Sequence, residues 1–223
     1  KVEKLAYLYG PTYYTPKIKM CGISKVETIP AIVDAKPDYM GLVFAPSKRQ
    51  VTVEQAKILV DELHKQYEKT YGEVTVPMNT DTAQDSQDSQ DSQDSQDSQN
   101  SQEFVLGNSN FEKIKTVGVL VNETLENLLK IAEEVKLDVI QLHGDEDETF
   151  IQSLKERTNV EVWKAVQIRS AADAEAWIDS SADMLLFDAY HKDERGGTGE
   201  VFDWSCLDEF ERPFMLAGGI DST

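Results

Sequence analysis

Residues 39–66 read YMGLVFAPSKRQVTVEQAKILVDELHKQ, and this stretch decides the fold class. Its first six residues form a largely apolar run that is typical of a buried β-strand. A helical pattern follows over residues 53–66, where apolar residues recur at three- and four-residue spacing. Thr52 and Gln55 fit a capping box, in which side chains pair with free amides at the start of a helix. The stretch therefore predicts one strand–loop–helix unit.

The same unit recurs along the chain. A second helical pattern covers residues 124–135, and Ser24 with Glu27 fits another capping box that predicts a helix start after the first strand. The predicted strands cover residues 17–23, 39–44, 116–121, 139–144, 161–167, 183–190 and 213–219. Strands that alternate with helices indicate a parallel sheet covered by helices. Periodicity alone leaves an open doubly wound sheet and a closed barrel as alternatives.

One segment interrupts this pattern. Residues 80–104 contain five consecutive Gln-Asp-Ser triplets and no Lys or Arg. With almost no apolar side chains, the segment cannot bury enough surface to offset its chain entropy. We therefore expect a disordered acidic insertion at about residues 75–110. It is either a tolerated loop expansion, because closure cost grows slowly with loop length, or an acidic tract that binds a partner.

Composition excludes several classes of protein. The net charge is −19, and removing the seven acidic groups of residues 81–103 still leaves −12, which argues against a nucleic-acid partner. No apolar run approaches the roughly 20 residues of a membrane helix, so we expect no membrane partner. Two cysteines, Cys21 and Cys206, imply no disulfide framework and favour reduced thiols in the cytoplasm.

Residues that carry chemistry follow the predicted strands, where the loops of α/β proteins hold their functional groups. These strand-end residues are Cys21, Arg49, His143, Asp188, Gly218 and Gly219. Taken singly, each has an ordinary interpretation, such as a packed thiol, a helix cap, a solvated cation or a turn. Together they fall at the same ends of successive strands, and this shared position favours a functional site.

The motifs around these residues resemble a known family. In chain order they are KIKMCGI, GLVFAPSKRQVT, VGVLVN, VIQLHG, LLFDAY, GGTGEVFDW and LAGGI. Over residues 17–223, apart from the insertion, the sequence resembles phosphoribosylanthranilate isomerase. The resemblance implies a (β/α)8 barrel of tryptophan biosynthesis that needs no metal and no organic cofactor. It also implies an aldose–ketose isomerase that converts N-(5-phosphoribosyl)anthranilate into 1-(2-carboxyphenylamino)-1-deoxyribulose 5-phosphate by an Amadori rearrangement.

The same resemblance assigns roles to the strand-end residues. It implies that Cys21 is the general base and Asp188 the general acid. Arg49 matches the arginine that engages the anthranilate carboxylate, and Gly218 with Gly219 matches part of the phosphate-binding loop. We expect His143 to take part in substrate binding as well.

The reaction itself calls for these residue types. Opening a ribosylamine requires a proton on the ring oxygen, and shifting the carbonyl requires removal of a proton from the neighbouring carbon, so an acid and a base are both needed. The helix predicted to begin at Ser24 would favour the thiolate of Cys21. Lys19, two residues earlier on the same strand face and about 6.6 Å away by strand rise, would also favour it. A solvated lysine is the alternative for Lys19.

Two other identities stay open on the sequence. The related histidine-pathway isomerase shares the architecture, but it resembles a twofold repeat with an aspartate pair, whereas the first strand here ends in Cys21. A non-catalytic or incomplete barrel domain, fused to or associated with another tryptophan-pathway enzyme, is the second alternative. Residues 1–16 read as a linker or the tail of a preceding segment. The chain stops at LAGGIDST, so we expect the eighth strand–helix unit to be missing and the isolated chain to have little stability and activity.

Overall fold

Seven parallel strands form one sheet in the computed structural model, which describes residues 16–72, 113–189, 207–208 and 210–218. The strands are β1 (Lys19–Cys21), β2 (Tyr39–Val43), β3 (Lys115–Leu120), β4 (Val139–Leu142), β5 (Glu161–Ile168), β6 (Met184–Ala189) and β7 (Phe214–Ala217). The α-helices of the described ranges are α1 (Ile29–Ala35), α2 (Val53–Tyr71), α3 (Leu125–Val135), α4 (Glu148–Lys155) and α5 (Ala171–Glu175). All seven predicted strands are confirmed.

The order of the strands in the sheet follows their order in the chain, from β1 to β7, and every neighbouring pair is parallel. Crossover helices between parallel neighbours place the helical layer on one face of the sheet. The sheet curls into an incomplete barrel, as the family resemblance implied for a (β/α)8 architecture with seven strands present.

The two faces of the sheet bury different sets of residues. The inner face holds a cluster of Tyr39, Val117, Val139 and Trp163, in which the rings of Tyr39 and Trp163 meet edge to face at 4.7 Å. The outer face packs against the helices in a much larger apolar core. Because strand side chains alternate between faces, every second residue of each strand points into the barrel. Residues that follow the inner cluster along their strands therefore reach the barrel mouth.

The two predicted capping boxes have different outcomes. Thr52 Oγ1 accepts a hydrogen bond from Gln55 N at 3.2 Å, and Gln55 Oε1 accepts one from Thr52 N at 3.0 Å, which confirms the start of α2. The helix start predicted at Ser24 is wrong. A short 3-10 turn covers Val26–Thr28 without a side-chain cap, and α1 begins at Ile29. Pro30 accounts for the later start, because proline fits only the first turn of a helix.

Several predicted features lie outside the described residues. Residues 1–15 contain most of the predicted leading segment and residues 73–112 contain the whole predicted acidic insertion, so these two assignments stay predictions. The GGTG motif at residues 196–199 and Gly219 also lie outside. Within the described ranges, no helix combines the length and the hydropathy that crossing a bilayer requires.

Candidate active site

The carboxyl ends of the strands bring most of the predicted site residues to one mouth of the barrel. Cys21 ends β1, His143 directly follows β4, and Asp188 lies near the end of β6. Arg49 lies in the loop after β2, and Gly218 directly follows β7. This is the end at which (β/α)8 proteins carry their active sites.

The Cys21 thiol lies beside a cation. Lys19 Nζ is 3.4 Å from Cys21 Sγ, so the two side chains share a strand face as their spacing predicted. Cys21 is exposed and is a free cysteine. A cation and a thiol are therefore paired at the end of β1.

Gly41 makes room for this pair. It lies opposite Cys21 in the β1–β2 register, and a Cβ added there would lie 2.8 Å from Cys21 Sγ and 3.1 Å from Lys19 Cε. Both distances are too short for ordinary carbon contacts, so any larger residue would displace the thiol or the lysine. Gly41 was not among the residues predicted from the sequence. The available signal was a glycine inside a buried strand, which often marks a close approach of another group.

Arg49 reaches the same place from the next loop. Its Nη1 donates to the backbone oxygen of Cys21 at 3.5 Å. The side chain lies across Gly22, which has a φ of 84° and whose added Cβ would lie 2.6 Å from Arg49 Cδ. The exposed guanidinium therefore lies beside the backbone of Cys21 and Gly22, and its planar fork of donors suits a carboxylate.

A line of polar side chains crosses the inner face of the barrel from Cys21 to Asp188. Lys19 Nζ donates to Gln141 Oε1 at 2.7 Å, and Gln141 Nε2 lies 2.9 Å from His143 Nδ1. On the far side of the ring, His143 Nε2 is 3.5 Å from Asp188 Oδ2. We call these five residues the inner polar chain. It connects the two residues for which acid–base roles were predicted.

The residues of the inner polar chain differ in how easily they could be predicted from the sequence and in how exposed they are. Gln141 is only 2% exposed, and it was not among the predicted site residues although it stands in the QLHG motif. The signal was a polar residue inside an apolar strand, and its partner Lys19 is 122 positions away in sequence. The Asp188 side chain is 8% exposed and that of His143 is 20% exposed, so both line the mouth without being closed off from it.

A buried ion pair supports the loop that follows His143. Glu146 and Lys164 are each 3% exposed, with 3.1 Å between Glu146 Oε2 and Lys164 Nζ. Glu146 also accepts from the backbone amides of Asn122 at 2.7 Å and Gly144 at 2.9 Å. Lys164 donates to the Gly144 oxygen at 2.7 Å and lies 5.5 Å from the centre of the Trp177 ring. The pair therefore fixes the backbone immediately after His143.

Two further features bear on ligand binding: the glycines after β7 and the side chains that could hold a metal ion. Gly218 has a φ of 75°, a left-handed conformation that few other residues adopt, so the turn after β7 depends on it. Gly219 lies outside the described residues, and the phosphate-binding role of the two glycines stays a prediction. In the part of the chain that the structure describes, no group of three or more His, Cys, Asp or Glu side chains is placed to hold a metal ion.

Known proteins match both the sequence and the fold. A family model described as N-(5'phosphoribosyl)anthranilate (PRA) isomerase matches residues 70–223. The N-(5'-phosphoribosyl)anthranilate isomerase of Thermoanaerobacter sp. (strain X514) is 37% identical over 207 residues, which cover 92% of this chain and 77% of the relative. The enzyme of that name from Clostridium acetobutylicum is 34% identical over 209 residues, with 92% and 78% covered.

A solved structure agrees with these matches. The crystal structure of phosphoribosyl anthranilate isomerase from Thermotoga maritima superposes with a TM-score of 0.62 at 25% identity, and it covers 92% of this chain and 78% of the other. The family match extends over most of the chain, and so does the fold similarity. The chain therefore belongs to the N-(5'-phosphoribosyl)anthranilate isomerase family.

Proposed function

We propose that this chain binds N-(5-phosphoribosyl)anthranilate and isomerises it with Cys21 as the general base and Asp188 as the general acid. The observation that carries this proposal is the inner polar chain, which places a lysine-supported thiol and a carboxyl group at one barrel mouth. The reaction is an internal redox exchange between neighbouring carbons, so the enzyme is an intramolecular oxidoreductase of the aldose–ketose type.

Each step uses one of the two groups. Asp188 gives its proton to the ring oxygen, the bond from that oxygen to C1 breaks, and the nitrogen lone pair forms an iminium. Cys21 then removes the proton from C2, and the electrons of that C–H bond form an enolamine. A proton added at C1 and one lost from the C2 hydroxyl complete the ketone. No external oxidant or reductant is consumed.

The remaining site residues bind the two anionic ends of the substrate. Arg49 pairs with the anthranilate carboxylate, because its guanidinium lies beside Cys21 and presents a bidentate fork. Gly218 and Gly219 offer backbone amides to the phosphate, since glycine allows the main chain to approach a ligand closely. His143 contacts the substrate next to Asp188. Although the net charge is −19, the protein can bind an anionic small molecule, because cations such as Lys19 and Arg49 lie at the barrel mouth itself.

We place the reaction in the cytoplasm. Fusion to or association with another tryptophan-pathway enzyme remains our proposal for a partner.

The test is the loss of anthranilate-substrate fluorescence, with the wild-type chain as the reference. We expect Cys21→Ser and Asp188→Asn each to lower turnover on the order of 10² or more, because each removes a proton-transfer group. Cys206→Ser and Asp34→Asn are the matched controls, and both should turn over substrate at the wild-type rate. Binding of a reduced product analogue should persist in the two site variants. Near-normal turnover in either site variant would contradict its assignment, and a wild-type chain without turnover would favour the alternative of a non-catalytic or incomplete barrel domain.

A further inference from the structure

Gln141 is a buried polar residue whose part in the site is not yet explained. The residue is 2% exposed, and its side chain makes two polar contacts, one from each end of the amide. The oxygen faces Lys19 and the nitrogen faces His143. An apolar residue of similar size would fill the same space without the cost of burying an amide. The two contacts therefore call for a functional explanation.

The chemistry of the partners fixes the direction of every contact. A lysine ammonium has three donors and no acceptor, so it turns the amide oxygen of Gln141 toward itself. The amide nitrogen of Gln141, which can only donate, is then directed at His143 Nδ1. Nδ1 must accept, so it carries no proton. In a neutral imidazole the proton then resides on the other nitrogen, Nε2.

We propose that Lys19, acting through Gln141, holds His143 in its Nε2–H tautomer and thereby orients the carboxyl group of Asp188. Nε2 lies 3.5 Å from Asp188 Oδ2, at the outer limit of hydrogen-bond distance, so a proton on Nε2 has this oxygen as its carboxylate neighbour. Oδ2 is thereby assigned to the histidine, and the other oxygen, Oδ1, is left to carry the proton that is transferred. This inference rests on the proposed function for its catalytic meaning. Gln141 and Lys19 act on Asp188 only through His143, so they are positioning residues toward it.

The arrangement also serves the step after proton transfer. When Asp188 has lost its proton it becomes a carboxylate, and the Nε2–H group beside Oδ2 stabilises the new charge. The same Lys19 ammonium contacts Cys21 Sγ at 3.4 Å. One lysine therefore supports the base directly and sets the hydrogen-bond direction that reaches the acid.

The tautomer can be observed by NMR on the 15N-labelled chain, independently of turnover. The chain has three histidines, so the His143 signals can be assigned by their loss in His143→Gln. We expect a protonated Nε2 and an unprotonated Nδ1 in the wild-type chain. Gln141→Glu keeps the shape but replaces the amide nitrogen with an acceptor, so we expect Nδ1 of His143 to become protonated. Gln55→Glu adds the same charge within a capping box that accepts Glu, and it should leave the His143 signals unchanged.

Turnover provides the second readout. If Nδ1 takes the proton, His143 Nε2 can no longer donate to the Asp188 carboxylate. Losing one hydrogen bond to this charged group should lower kcat of Gln141→Glu about tenfold. We expect a much smaller change in KM, because Gln141 has no assigned contact with the substrate. Lys19→Met is the second variant, in case Gln141→Glu does not fold. Without the ammonium the amide of Gln141 is free to turn, so we expect a mixture of His143 tautomers.

The results separate this inference from the proposed function. A wild-type His143 protonated on Nδ1, or signals that do not change in either Gln141→Glu or Lys19→Met, would overturn the inference whatever the activity. If the tautomer changes as expected while Cys21→Ser and Asp188→Asn keep their turnover, the hydrogen-bond assignment is supported and the acid–base roles fail.

Discussion

Replacing Glu146 by glutamine tests how much the buried ion pair contributes to stability. The carboxylate of Glu146 accepts from two backbone amides and one ammonium, and both it and Lys164 are almost completely buried. The amide of Glu146→Gln has only one oxygen, so its nitrogen must face a donor in either orientation. Removing one partner of a buried pair costs about 3–5 kcal/mol, because the other charge stays buried without compensation.

This cost should be visible in ordinary unfolding experiments. For a chain of this length, 1 kcal/mol corresponds to about 2–4 °C, so Glu146→Gln should lower Tm by about 10 °C. Urea unfolding followed by circular dichroism would give the change in free energy directly. The matched control is Glu134→Gln, which removes the same charge from an exposed pair with Lys130 at 3.8 Å. An exposed helical pair of this kind is worth about 0.3–0.5 kcal/mol, so the control should be nearly neutral.

A double-mutant cycle with Lys164→Met would then separate the pair from its surroundings. We expect each single variant to be strongly destabilised and the double variant to lose less than the sum, with a coupling of about 1–3 kcal/mol. A free energy of unfolding for Glu146→Gln within about 1 kcal/mol of the wild-type value, or additivity of the two substitutions, would show that the ion pair contributes little to stability.

Two further predictions concern single residues elsewhere in the barrel. In Gly41→Ala, the new Cβ would lie 2.8 Å from Cys21 Sγ, and the resulting displacement of the thiol should lower turnover on the order of 10–100-fold. The control is Gly72→Ala, which should keep its turnover because no atom lies within 4 Å of the added Cβ. Equal turnover in Gly41→Ala and the wild-type chain would show that the thiol has room to move. Burial of His64, with a smaller effect of the Lys113 ammonium, lowers its pKa below the usual value of about 6.5, and its Nε2 has no hydrogen-bond partner within the described ranges. The folded state disfavours the protonated ring, so the free energy of unfolding should fall as pH drops below about 6.5 toward the lowered pKa. Urea unfolding at pH 7.5 and 5.5 should show a smaller fall for His64→Gln than for the wild-type chain. An equal fall in both proteins would exclude His64 as the cause.

The sequence predicted the strands well because their apolar runs are local and end in polar or glycine-containing segments. It placed Cys21, His143 and Asp188 at one mouth, since parallel strands of a barrel end at the same edge. It failed at Ser24, where a matching Ser-x-x-Glu pattern was outweighed by Pro30 farther along. It also missed the contacts of Gln141 and Glu146, because each depends on partners from other strands and on burial that no local pattern reports.

The loops at the mouth of a (β/α)8 barrel are often regarded as interchangeable parts, which can be replaced one at a time to obtain a new activity. In this chain the segments after β3 and β4 do not have that independence. Asn122 exchanges two hydrogen bonds with Asp145, at 2.7 and 3.0 Å. The backbone amide of Asn122 and the ammonium of Lys164, on β5, both donate to the Glu146 carboxylate. A loop graft that replaces residues 144–147 alone would leave a buried ammonium on β5 and an unsatisfied amide in the neighbouring loop. The unit of exchange in this part of the barrel is therefore both loops together with Lys164.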